Sequence, residues 1–112
     1  MFVISAMTGT MMLIHAAVAA ASFKGKTVPR SVGYPVALYE IAFYEALLYS
    51  GAVSGLPLLL LTYLFLAVHV AGGLAYMGGA LTRLYSPSRL AYYGLYELFE
   101  LAYLSVVFFL AR

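Results

Sequence analysis

The chain has no cysteine, tryptophan, asparagine, glutamine or aspartate. Without cysteine there is no disulfide, no thiolate nucleophile and no Cys-ligated metal, and the redox compartment leaves no trace in the sequence. Missing Asn, Gln and Cys, together with eleven tyrosines, suits a thermophilic source, because those side chains are the thermolabile ones. Charge is scarce as well: 9% of the 112 residues are charged, against about 25% in water-soluble domains. A net charge of +2 with no basic aromatic platform argues against a nucleic-acid partner. There is no Gly-rich phosphate loop, no His-Glu-x-x-His and no nucleophile elbow, and Ser50, Ser54 and Ser105 have no evident base. No catalytic residue is assigned on this basis, and the chain reads as a non-enzyme.

What is abundant is apolar. Hydrophobic residues make up 65% of the chain and mean hydropathy is +0.99. Four apolar segments, residues 2–23, 35–52, 56–81 and 90–110, each approach the ~20 residues that cross a hydrocarbon core. The first has no basic stretch ahead of it, and Lys24 and Lys26 follow it, so it reads as a retained helix and not as a signal peptide. The expected fold is an all-α integral membrane protein of four transmembrane helices, one domain over residues 1–112, surrounded by lipid. Pro29, Gly33 and Pro35 break the first connection, Gly51, Gly55 and Pro57 the second, and Ser86-Pro87-Ser88 the third. Pro35 suits the start of the second helix, and Ser86 or Ser88 suits a cap on the fourth. Connections this short predict an antiparallel up-down bundle.

The basic residues give an orientation. Lys24, Lys26 and Arg30 lie in the first connection, Arg83 and Arg89 in the third, and the second is uncharged. The positive-inside rule places the first and third loops in the cytoplasm and both termini outside, with Arg112 the lone basic residue there. Tyr34, Tyr85 and Tyr92 fit the headgroup level as anchors. Small residues crowd the first segment after His15 and the third around Gly72 and Gly73, which predicts close packing of helices one and three.

All four acidic residues are glutamates inside apolar segments: Glu40, Glu45, Glu97 and Glu100. An ionisable group there is costly and marks a partner or a pathway. Each has a tyrosine one helical turn away, in the pairs Glu40–Tyr44, Glu45–Tyr49, Glu97–Tyr93 and Glu100–Tyr96, placing a phenol within hydrogen-bonding reach. His15 and His69 complete the set. The order histidine, basic loop, Leu-Tyr-Glu occurs twice, with His-to-Glu spacings of 25 and 28 residues, as a duplicated helical hairpin would give. At ~100° per residue Glu97 and Glu100 share a helix face, whereas Glu40 and Glu45 lie about 140° apart. One of the latter pair is expected to face the interior, the other a neighbouring helix or subunit.

Several chemistries suit this inventory. The leading expectation is a small membrane subunit, homo-oligomeric or part of a larger complex, whose Glu, His and Tyr layer fixes helix and subunit contacts. Two imidazoles at similar depth suit a b-type haem held axially by His15 and His69. Buried carboxyls beside histidines suit a proton-coupled transporter or channel. Four Glu and two His are also the count of a carboxylate-bridged dimetal site, but that site needs Glu-x-x-His pairs, which are absent, so no metal ligand is assigned.

Overall fold

The computed structural model describes residues 2–78 and 87–111, with the side chains of Arg30, Pro87 and Ser88 left out of account. It is all-helical: α1 Phe2–Phe23, α2 Arg30–Ser50, α3 Leu56–Met77 and α4 Pro87–Ala111. Three stretches, Phe2–Phe23, Leu56–Met77 and Arg89–Ala111, are long and apolar enough to cross a membrane. The helix bearing Glu40 and Glu45, α2, is not among them. Arg83, Tyr85, Ser86 and Arg112, and the expected cap by Ser88, lie outside the described residues.

The ends of the helices follow from local chemistry. At the end of α1, Gly25 takes φ 70°, its N–H bonds Ser22 O at 3.0 Å and the Lys26 N–H bonds Ala21 O at 2.9 Å. This is the Schellman pairing, which needs a residue free to turn left-handed. The second helix starts five residues earlier than the apolar pattern suggests, leaving Pro35 inside it. Pro29, at φ −57° and ψ 144°, is the N-cap, and its carbonyl accepts from Val32 and Gly33 at 3.0 and 2.8 Å. Pro35 is tolerated so near the start because it removes only one early helical bond.

Packing departs from the sequence expectation. The extensive contacts join α1 to α4 and α2 to α3, whereas α1 and α3 barely touch. Glycines of α4 and α2 serve these pairs. A Cβ on Gly94 of α4 would lie 3.0 Å from the Phe23 ring of α1, and one on Gly33 of α2 would collide with the Tyr76 phenol of α3. The small residues that composition singled out on α1 and α3 are therefore not the ones at these two approaches, where α1 and α3 supply the large rings.

Between the two pairs lies a layer of large side chains. Met11, Phe43, Tyr44, Leu47, Phe65, Leu104 and Val107 are buried almost completely. The Phe65 ring lies 4.8 Å from that of Tyr103, and Tyr44 stacks on Phe65 at 6.2 Å. Tyr103 and Thr62 hydroxyls meet at 2.5 Å, and Thr62 also bonds Leu58 O at 2.7 Å, so these polar groups are satisfied inside the core. This packed half closes one side of the polar cluster.

Candidate metal centre

Both histidines and three of the four glutamates converge on one point. His15 comes from α1, Glu40 from α2, His69 from α3, and Glu97 and Glu100 from α4. His15, Glu97 and Glu100 are buried, and Glu40 and His69 are nearly so. One ligand atom from each of His15, Glu40, His69 and Glu100 lies within 4.8 Å of every other.

The state of His15 follows from its neighbours. Its Nδ1 meets Glu97 Oε2 in the closest contact of the cluster. An ionised carboxylate only accepts, so Nδ1 carries the proton and, in the neutral ring, Nε2 presents its lone pair. That Nε2 lies 2.8 Å from Glu100 Oε2 and 3.2 Å from Glu40 Oε2. Yet it is buried and makes no hydrogen bond, because neither oxygen lies in donor–acceptor geometry. In the neutral ring, lone pairs thus face one another at van der Waals range or closer. Positive charge among them, a second proton on the ring or a bound cation, makes such an arrangement favourable.

His69 bridges the same carboxylates from the opposite side. Its Nε2 is 2.8 Å from Glu100 Oε2 and its Nδ1 is 3.1 Å from Glu40 Oε2. The two imidazole rings stand edge to face, 5.8 Å apart at 80°. Tyr44 donates to Glu100 Oε2 at 2.9 Å and stacks on His69 at 5.3 Å, which fixes both from the packed side. Thus Tyr44 bonds a carboxylate across the bundle and not Glu40 on its own helix.

Of the remaining residues of the predicted layer, Tyr93 and Tyr96 keep beside Glu97 and Glu100, whereas Glu45 and Tyr49 lie apart. Glu45 is exposed, Tyr49 is 92% exposed, and Tyr93 is half exposed. Tyr96 is partly buried beside the core. Sequence reasoning did not foresee Thr62 and Tyr103. Tyr103 lies three residues beyond Glu100, on the same side of α4, which was the available signal.

On the side away from Tyr44 a cavity of about 670 Å³ reaches the cluster, with Glu40 and His69 in its lining. Its other walls are mostly apolar, and Lys26 and Arg89 lie at the connection end. No protein-family model, no curated protein and no solved structure matches the chain.

Proposed function

We propose that the chain is a four-pass membrane protein that binds a single divalent transition-metal ion between His15, Glu40, His69 and Glu100. One observation carries the reading: the fully buried His15 Nε2, without a hydrogen bond, faces two carboxylate oxygens. Ligands bound at ~2.0–2.1 Å to one ion lie roughly 2.9–3.4 Å from one another, and His15 Nε2 lies close to that range from Glu100 and Glu40, at 2.8 and 3.2 Å, with one nitrogen of His69 left to complete the shell. Two imidazoles and two carboxylates suit zinc, iron, manganese or copper. Glu97 is the outer carboxylate that orients a ligating histidine and sets its tautomer. The ion offsets the cost of holding carboxylates in an apolar setting, which is about 3 kcal/mol each at mid-bilayer.

The membrane setting is supported by three sufficiently apolar helices and a bundle 38 Å long, against a hydrocarbon core of ~30 Å. The fourth pass is α2, whose glutamates are sheltered in part by the site. An up-down course is supported by Gly9 near Phe108 and Gly94 near Phe23. Lys26 and Arg89 line the cavity, so by the positive-inside rule its mouth lies at the proposed cytoplasmic end. A duplicated hairpin fits the pairing of His15 with Glu97 and of His69 with Glu40, since each histidine then meets the equivalent glutamate of the other half.

The subunit reading keeps one observation in its favour. Glu45 and Tyr49 face outward, and a carboxyl in lipid calls for a partner chain. Axial haem ligation by both histidines is less well supported, because Glu100 Oε2 lies within 2.8 Å of a nitrogen on each ring, where a macrocycle would have to pass. A transport role fits a polar centre reached from one side, but it requires a second opening through the packed half.

Metal analysis of protein purified in mild detergent without chelator tests the proposal. About one equivalent of a transition metal per chain is expected, with loss in His15→Ala and in Glu100→Gln. Substoichiometric metal that both variants retain would remove the reading.

A further inference from the structure

The cavity above the metal centre has an order of its own. Glu40 and His69 form its floor. Seven residues along each helix, about 10 Å by the helical rise, Gly33 and Tyr76 lie near its mouth with Lys26 and Arg89. Between floor and mouth the walls are apolar, among them Val36, Ala37 and Val68. Gly72 opens this gallery further, since a Cβ there would meet nothing within 4 Å. Hydrogen-bond donors thus gather at one end, and the carboxylates at the other are already engaged with the histidines.

The mouth also contains an unused donor. Tyr76 lines the cavity, and its hydroxyl, buried beside Gly33, makes no hydrogen bond. Its ring is fixed edge to face against Tyr34 at 5.5 Å, and Tyr34 donates to Met77 O at 3.0 Å. A buried phenol without a partner favours an acceptor oxygen brought to it, and Lys26, in the lining of the same cavity, favours an anionic one. Apolar walls call for an apolar body behind that oxygen.

We infer that the gallery binds a medium-chain carboxylate of the fatty-acid class, with its carboxylate at Tyr76 and Lys26 and its chain end resting on Glu40 and His69. An extended chain advances roughly 3.5 Å per three bonds, so a depth of about 10 Å accepts some eight to ten carbons. This places an unfunctionalised chain end against the metal centre. Occupation of the gallery itself rests on the cavity and its donors, and the metal reading enters only in what the chain end meets.

A decanoic acid with a diazirine near its methyl end tests the assignment, using the whole protein in lipid nanodiscs, metal-loaded and chelated. Crosslinks mapped by mass spectrometry are expected on residues 36–40 and 68–73. Decanoate should compete at about tenfold lower concentration than decanol, and Lys26→Gln should weaken labelling by a similar factor. Gly72→Leu, which fills the open space, should abolish it. Labelling confined to outer positions such as Leu60 and Phe109, equal competition by decanol, or undiminished labelling in Gly72→Leu would overturn the inference. Metal content is measured on the same samples, so gallery labelling without metal separates a failure of the metal reading from a failure of this one.

Discussion

Glu97 on α4 holds the Nδ1 edge of His15 on α1, and that contact turns the other ring nitrogen toward Glu40 and Glu100. A carboxylate behind an imidazole raises the basicity of its free nitrogen and fixes the ring. Glu97→Gln is therefore expected to weaken metal binding by roughly 10- to 100-fold while leaving the stoichiometry at saturation unchanged. His15→Ala should remove binding outright. Competition against a chromogenic chelator measures both, and equal affinity in Glu97→Gln and wild type would count against the orienting role.

The two glutamates of α2 should behave unequally. Glu40 lies 3.2 Å from His15 and 3.1 Å from His69, whereas Glu45 is exposed. Glu40→Gln is expected to deplete the metal and Glu45→Gln to leave it in place, with any effect of the latter appearing in the oligomer size in detergent. Comparable metal loss in the two variants would contradict the placement.

This pair also marks how far the sequence could be read. The angle of about 140° between Glu40 and Glu45 was enough to place them on different faces. It did not say which face looks inward, because helix rotation depends on the neighbours. His15 and Glu97 are 82 residues apart, and no local pattern joins them. The four helical segments were legible because each is a long apolar run closed by Gly or Pro. The start of α2 was not, since a proline in the second turn looks the same in sequence as a proline at the first position. The pairing of α1 with α4 was hidden for a related reason: small residues advertise a close approach, but the approaching groups, Phe23 against Gly94 and Tyr76 against Gly33, are large and ordinary in sequence. The convergence of His15, Glu40, His69 and Glu100 was not legible because they come singly from four helices and leave no spacing motif.

Tyr44→Phe removes the hydroxyl that donates to Glu100 and keeps the stacking on His69. A loss of about 1 kcal/mol in stability is expected, in the range of hydrogen bonds between membrane helices. Unfolding by denaturing detergent measures it. The same variant should weaken metal binding less than Glu97→Gln, because Glu100 retains contacts with both histidines.

Two glycines make a controlled comparison. A Cβ at Gly33 would lie 2.8 Å from Tyr76 Cζ, and one at Gly72 would touch nothing within 4 Å. Gly33→Ala is expected to cost about 1–3 kcal/mol through overpacking of α2 on α3. Gly72→Ala is expected to be neutral or to stabilise by roughly 0.5 kcal/mol, since alanine is the better helix former. Thermal unfolding of the two variants side by side checks the order.

Metal removal should lower stability without unfolding the bundle, because the apolar core on the Tyr44 side stands without it. At free metal of 100 times the dissociation constant, binding contributes about 2.7 kcal/mol, so chelation is expected to lower the unfolding free energy by that amount and the midpoint with it. A midpoint indifferent to chelator would mean that the ion does not bind the folded state preferentially.

Anomalous X-ray diffraction from crystals grown with cobalt or zinc tests the central claim most directly. The expected result is a single strong peak per chain, at bonding distance from His15 Nε2, a His69 nitrogen and oxygens of Glu40 and Glu100. A map with no anomalous density among these four residues, at metal concentrations that saturate the protein in solution, would contradict it.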